Sequence, residues 1–332
     1  MARIALDAMG GDHAPRAAIA GALLALAELP AAHTIQLVGQ PSVIEAELDA
    51  LAAPAPQRAR IEVVAAPDVI GMTDKPSVAL RSKASSMVVG LELQPRGLSD
   101  AFVSAGNTGA QMAASMRILK LMPGLERPAI GTVFPTALKP VLVLDSGANV
   151  DCSAEELVQF ARLGSVYAED LLNRANPVIG LLSVGEEDEK GNAVVKEANA
   201  MLRTSGLNFQ GNVEGRDIPL GQSERGPIDV VVCDGFVGNV LLKFYESIAP
   251  VVTRWIGEGL KMDPKQLQRG LAQLDYSEHG GAPLLGVQGV SIISHGKSND
   301  RAIKNAIRVA LRAVESHMTE HAARRLSQSV SA

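Results

Sequence analysis

The chain has 332 residues, 47% of them hydrophobic and 20% charged, and 31 basic against 36 acidic side chains leave a net charge of −5. That balance lacks the basic excess of a bulk nucleic-acid binder, and 3% aromatic residues offer few rings for stacking single-stranded bases. No run reaches the ~20 apolar residues that span a bilayer, and two cysteines, Cys152 and Cys233, far apart and without metal or redox spacing, fit free thiols in a reducing cytoplasm.

Met1-Ala-Arg-Ile-Ala-Leu-Asp7 reads as a strand and not as a signal peptide, because its apolar stretch is short and Asp7 and Asp12 interrupt it. In chain order the pattern predicts a strand at 3–8, a helix at 15–29, a strand at 34–38, a helix at 42–51, a strand at 60–65 and a helix at 77–91. A strand at 101–104, a helix at 110–121, strands at 129–134 and 140–144, and a helix at 154–173 come next. The remainder reads as a strand at 177–182, a helix at 193–204, a strand at 228–233, a helix at 240–260, a strand at 290–294 and a helix at 300–325. Alternation of this kind predicts an α/β fold with a largely parallel sheet flanked by helices. Several strands are continuously apolar, as strands covered on both faces are. The whole of 1–332 reads as one catalytic domain, or as two lobes around a cleft, with a helical hairpin near 251–275.

Glycine and a polar residue mark the strand ends. These turns are Asp7-Ala-Met-Gly-Gly-Asp12-His13, Ser104-Ala-Gly-Asn-Thr-Gly109, Asp145-Ser-Gly-Ala-Asn149, Ser183-Val-Gly-Glu-Glu187, Asp234-Gly-Phe-Val-Gly-Asn239 and Ser294-His-Gly-Lys-Ser298. In a parallel sheet the C-terminal strand ends share one rim, where ligands bind, so the six turns predict a single cleft rich in backbone donors. The second turn runs straight into a helix, the layout of an anion-binding loop. It lacks the Lys-Ser or Lys-Thr of a nucleotide P-loop. Gly296-Lys297-Ser298 resembles the end of a P-loop, but the required glycine position is Ser291.

Other motifs fall away. There is no G-x-G-x-x-G and no G-x-S-x-G. His317-Met-Thr-Glu320-His321 has the spacing of an inverted zincin but no evident third ligand, and it reads as a solvated last helix. Cys152 has no histidine near it in sequence and, like the strand residue Cys233, reads as packing.

Taken together, Asp7-Ala-Met-Gly-Gly-Asp12, Ser104-Ala-Gly-Asn-Thr-Gly109, Leu144-Asp-Ser-Gly-Ala-Asn149 and Cys233-Asp-Gly-Phe-Val-Gly-Asn239 resemble, in this order, the bacterial phosphate acyltransferases of phospholipid synthesis. The likeness runs from Ile4 to about Arg312. It implies a fold similar to phosphotransacetylase and isopropylmalate dehydrogenase, a homodimer, and no cofactor or metal. The reaction it implies joins acyl-[acyl-carrier-protein] and inorganic phosphate to give acyl phosphate and free carrier protein. The product would pass to a membrane glycerol-3-phosphate acyltransferase, which places the chain in the cytoplasm, peripheral at the inner face of the plasma membrane.

On this resemblance the phosphate is itself the nucleophile, and catalysis reduces to positioning and to donors for the thioester oxyanion. Ser104, Gly106, Asn107, Thr108 and Gly109 would cradle the phosphate, with Asp7, Gly10, Gly11 and Asp12 as the adjoining wall and Asp234, Gly235 and Gly238 in a further binding turn. Asn149 and Asn239 are neutral donors suited to a developing oxyanion, Lys190 would neutralise charge on phosphate or thioester, and His13 is a candidate proton carrier or a structural helix-start histidine. Carboxylates beside a phosphate repel it, so Asp7, Asp12 and Asp234 either are compensated or orient loops through N–H bonds; for Asp234 the second reading is preferred. The family carries Glu-Leu-Thr-Lys after Lys-Gly-Asn where this chain has Ala193-Val-Val-Lys196, so Lys190 is preferred to Lys196.

Residues 251–274 read as two helices about Asp263-Pro264, with Leu267, Leu271 and Leu274 on one face and Trp255 the single tryptophan. That face is either a dimer or core seam or a surface that docks on lipid. Two further functions remain open: a short-chain phosphotransacylase using coenzyme A thioesters, and a non-catalytic scaffold for lipid-synthesis partners. A dehydrogenase of this fold would need an acidic metal cluster that the sequence lacks.

Overall fold

Strands and helices alternate along the chain, as β-branched and aliphatic runs bounded by glycine turns dictate. The computed structural model describes residues 1–260 and 280–328. In chain order the first elements are β1 (Arg3–Asp7), α1 (Arg16–Glu28), β2 (Thr34–Gly39), α2 (Pro41–Ala50), α3 (Ala55–Arg58), β3 (Ile61–Ala65), α4 (Ser86–Glu92), β4 (Ala101–Ser104) and α5 (Thr108–Ile118). Next come β5 (Ala129–Ile130), β6 (Thr132–Phe134), β7 (Val141–Leu144), α6 (Ala154–Leu172), β8 (Ile179–Leu182), α7 (Ala193–Arg203), β9 (Phe209–Val213) and α8 (Asp217–Leu220). The last are β10 (Gln222–Ser223), β11 (Gly226–Pro227), β12 (Val230–Val232), α9 (Gly235–Leu260), β13 (Ala282–Leu285), β14 (Ser291–Ile293), α10 (Asp300–Glu315) and α11 (Met318–Gln328).

The chain divides into two compact units, Met1–Pro123 with Gly280–Ala323, and Gly124–His279 with Arg324–Ala332. In the first unit the strands lie in the order β3-β2-β1-β4-β14-β13, parallel except for the β13–β14 pair. The chain runs outward through β1, β2 and β3 and then returns to the other side of β1, so β1 and β4 flank a point where the strand order reverses. Such a point opens a crevice at the strand ends. In the second unit the order is β6-β7-β12-β8-β9, with only β6 antiparallel. The buried strand residues are aliphatic, among them Ile4, Leu6, Leu142, Leu144, Val230 and Val232.

The α/β class agrees with expectation; several element boundaries differ. The helix predicted at 77–91 is a 3₁₀ turn at Pro76–Leu80 followed by α4. Serines interrupt it: Ser85 Oγ donates to the Ser82 carbonyl at 2.8 Å and accepts from the Val88 N–H at 3.4 Å, local bonds that compete with the helix ladder. The strand predicted at 129–134 breaks between Ile130 and Thr132. The helix predicted at 300–325 is α10 and α11, parted at His317, whose φ is 53°. Helix α9 starts at Gly235, five residues before its predicted start at 240, and β9, β13 and the β10–β11 hairpin were not anticipated from pattern. No single sheet carries all six glycine turns; three follow β1, β4 and β14, and three follow β7, β8 and β12. Among the described residues no helix is long and apolar enough to cross a membrane. Leu267, Leu271 and Leu274 lie outside the described residues.

Candidate active site

In the first unit, parallel pairing sets Leu6 opposite Val103 and Ile293 opposite Ser104, so Asp7, Ser104 and Ser294 arrive at neighbouring strand ends. Asp7 and Ser104 are buried and bonded: Ser104 Oγ donates to Asp7 Oδ2 at 2.8 Å. The same hydroxyl accepts from the Gly106 N–H at 2.9 Å, and Asp7 Oδ1 accepts from the Met9 N–H at 3.1 Å. Burial pushes the Asp7 carboxyl above its ordinary value, opposed by hydrogen bonds from Ser86, Ser104, Met9 and Gly10. Asp7 thus ties the turn after β1 to the turn after β4. Gly10 is required by this closeness, since a Cβ there would sit 2.6 Å from Asp7 Oδ2 and 2.8 Å from the Gly106 nitrogen. Gly11 has φ 104°, and the next N–H, of Asp12, donates to the Gly296 carbonyl at 2.7 Å.

Asn107 caps α5. Its Oδ1 accepts from the Ala110 N–H at 2.9 Å, and its Nδ2 donates to the carbonyls of Met72 at 3.0 Å and Asp74 at 2.8 Å. The side chain is therefore committed to the protein. The N–H groups of Thr108 and Gly109 have no partner among the described residues and point from the positive end of α5. Thr108 itself is exposed. His13 is exposed just before α1, where its carbonyl accepts from the Ala17 N–H at 3.0 Å, and it lines a groove of about 390 Å³ with Arg16, Asn299 and Asp300.

In the second unit, pairing of Val232 with Leu144 brings the turns after β7 and β12 side by side. Asp145 organises them. Fully buried, its carboxylate accepts from the N–H groups of Ile130, Gly147, Ala148 and Asn149 at 2.7–3.2 Å and from Asn149 Nδ2 at 3.0 Å. Burial pushes this carboxyl up as well, against those bonds. Sequence reasoning gives Asp145 no role of its own. The available signal is an acidic residue directly at the end of an apolar strand, followed by Gly and Asn.

Asn149 also donates Nδ2 to the Pro128 carbonyl at 2.8 Å. Both its amide hydrogens are thus taken, which leaves none for an oxyanion. Asn239 differs: it is exposed, and its Oδ1 lies 3.5 Å from where a Cβ on Gly147 would be. Asp234 Oδ1 accepts from the Val237 N–H at 2.8 Å, a cap for α9, and so it orients backbone. Gly235 and Gly238 pack this helix start on the 145–149 turn; a Cβ on Gly238 would stand 1.9 Å from the Asp145 carbonyl oxygen. Lys190 is exposed between β8 and α7. Cys152 is half-buried, and burial foremost, with nearby acidic groups, pushes its thiol up to about 12, so it is no ready nucleophile. Among the described residues no group of three or more His, Cys, Asp or Glu side chains is placed to hold a metal ion.

The chain matches the family described as "Fatty acid synthesis protein" over residues 2–321. It is 49% identical over 325 residues to a protein of Heliobacterium modesticaldum named phosphate acyltransferase, covering 94% of each chain. It is 47% identical over 333 residues to one of the same name from Thermosynechococcus vestitus, covering 96% and 94%. Among solved structures, a phosphotransacetylase from Streptococcus pyogenes aligns with TM-score 0.64 at 19% identity, covering 95% of this chain and 94% of that one. A branched-chain phosphotransacylase from Enterococcus faecalis aligns with TM-score 0.60 at 14% identity, covering 95% and 99%. At those identities the structures establish the shared α/β fold. The near-complete matches at almost half identity go further: this chain belongs to the phosphate acyltransferase family and is a transferase.

Proposed function

We propose that the chain transfers an acyl group from acyl-[acyl-carrier-protein] to inorganic phosphate, releasing acyl phosphate and free carrier protein for phospholipid synthesis. The observation that carries the reading is the start of α5, where two unpartnered N–H groups, at the exposed Thr108 and at Gly109, form an anion site that needs no metal. A phosphate oxygen attacks the thioester carbonyl carbon, the C–S bond breaks, and the carrier thiolate leaves. Phosphate is already substantially dianionic near neutral pH, so no covalent enzyme intermediate is required. Thr108 and Gly109 are assigned to the phosphate contacts, and Ser104, Gly106 and Asn107, whose hydroxyl, N–H and side-chain amide are bonded within the protein, to the loop that presents them. Asp7, Gly10, Gly11 and Asp12 shape it through the bonds described above.

Asn239 is assigned to the developing oxyanion, and Lys190 to charge on phosphate or thioester. Asn149, Asp234, Gly235 and Gly238 set the turn that presents Asn239. His13 stands as a surface group beside α1. Homodimer formation and contact with lipid are proposed for the region beginning in α9, where Phe236, Val240, Phe244 and Trp255 are exposed at multiples of a turn. A product consumed by a membrane glycerol-3-phosphate acyltransferase fits such a surface, as does a cytoplasmic enzyme peripheral to the inner membrane face.

The test is to incubate the chain with phosphate and either long-chain acyl carrier protein or the matching coenzyme A thioester, and to detect acyl phosphate by mass spectrometry. Turnover of the carrier-protein thioester is expected. Turnover of coenzyme A thioesters alone would favour a phosphotransacylase, and turnover of neither would favour a scaffold.

A further inference from the structure

Lys190 lies on the stretch between β8 and α7, whose backbone is neither strand nor helix over 183–192. Four consecutive carboxylates precede it, Glu186, Glu187, Asp188 and Glu189. Mutual repulsion would spread such a loop, yet side chains from three elements hold it. Arg225, in the turn between β10 and β11, donates Nη2 to the Glu186 carbonyl at 2.7 Å and Nη1 to the Gln210 carbonyl at 2.9 Å. Asn212 in β9 is fully buried and donates Nδ2 to the Glu187 carbonyl at 2.7 Å. Arg203, at the end of α7, pairs with the Asp188 carboxylate and donates Nε to Asn199 Oδ1 at 3.1 Å.

The grip is continuous. Asn199 Nδ2 donates to Asn212 Oδ1 at 2.9 Å, which fixes the amide that holds Glu187. The same Glu187 carbonyl accepts the Lys190 N–H at 3.0 Å. Room for Arg225 is reserved in β9: Gly211 has φ 112°, and a Cβ there would lie 2.0 Å from Arg225 Nη1. A guanidinium placed over a left-handed glycine and shared between two backbone carbonyls serves geometry more than charge.

We infer that Arg225 and Asn212 are positioning residues for the acyl transfer, holding the Glu186–Glu187 backbone so that Lys190 is presented in one place. The inference rests on the reading of Lys190 as the cation that neutralises phosphate or thioester. Neither residue needs to touch substrate. Displacement of a catalytic group by about 1 Å can cost about a hundredfold in rate, and loss of one of several anchors should cost less.

A double-mutant cycle tests this, with Arg225→Ala and Lys190→Ala made singly and together in the full chain. Turnover is measured with phosphate and whichever thioester the wild-type chain uses, and melting is followed for each variant. Arg225→Ala is expected to lower kcat about tenfold when Lys190 is present. In the Lys190→Ala background it should change kcat by less than about twofold, because an anchor has no effect once the group it places is gone. If Arg225→Ala does not melt cooperatively, Arg225→Lys, which keeps the charge and loses the two-carbonyl fork, takes its place in the cycle. Equal losses in both backgrounds, or no loss in either, overturn the inference while leaving the acyl transfer intact. An unimpaired Lys190→Ala chain overturns the role of Lys190 and the inference with it. A wild-type chain that turns over neither thioester overturns the function and the inference together.

Discussion

Asn149 and Asn239 carry the same amide and do different work because their surroundings differ. The Asn149 amide is spent on Pro128 and Asp145, whereas Asn239 stands exposed beside Gly147. Asn239→Ala should therefore lower turnover by about 10²–10³, the usual cost of one preorganised oxyanion donor, and leave the melting temperature almost unchanged. Near-normal turnover would make Asn239 a loop residue. Asp7 gives a prediction in pH. Its native pKa is raised by burial, so its contribution to stability is complete below the unfolded value of about 3.9 and is lost as pH rises through the raised native value. Melting temperature measured against pH should fall across that window in the wild-type chain and stay flatter in Asp7→Asn; parallel profiles would contradict this. Sequence supplied the residue types here and not their commitments. Nothing in Ser-Gly-Ala-Asn149 or Gly-Asn107-Thr tells which amide hydrogens a distant carbonyl has already taken, as Pro128 takes one from Asn149 and Asp74 one from Asn107.

At the scale of elements, two helix starts do the organising. Helix α9 begins against the 145–149 turn with no space for a side chain at Gly238. Gly238→Ala should destabilise by about 1–3 kcal/mol, as overpacking does, and should depress turnover by displacing Asn239. Gly259, in the same helix, has no heavy atom within 4 Å of an added Cβ, so Gly259→Ala should be neutral or stabilising by about 1 kcal/mol. Denaturant unfolding of both variants checks the contrast, and equal effects would contradict it. At α5 the cap is Asn107, which leaves Thr108 to meet an anion. Thr108→Val should raise the KM for phosphate about tenfold, the worth of one hydrogen bond to a charged group, with kcat less changed. An unaltered KM would move the cradle elsewhere. The strands that end in these turns were legible because apolar runs meet glycine abruptly. The start of α9 was not, because Gly235 and Gly238 are poor helix formers in isolation and sit in the helix only through the Asp234 cap and their contact with the 145–149 turn.

At the scale of the molecule, the α/β class followed from alternation, and the family from four turns in fixed order. The division into two sheets did not. Strand-then-helix patterns specify parallel pairing but not which strands share a sheet, and β9 and β13 carry glycine or proline, Gly211 and Pro283, within them. What the turns accomplish together is best tested by the origin of the product's oxygen. With fully ¹⁸O-labelled phosphate and long-chain acyl carrier protein, direct attack by phosphate on the thioester predicts acyl phosphate retaining all four labelled oxygens, the bridging one included, read by mass spectrometry. Product that has exchanged one label for solvent oxygen, or free fatty acid with no acyl phosphate, would contradict phosphate as the nucleophile.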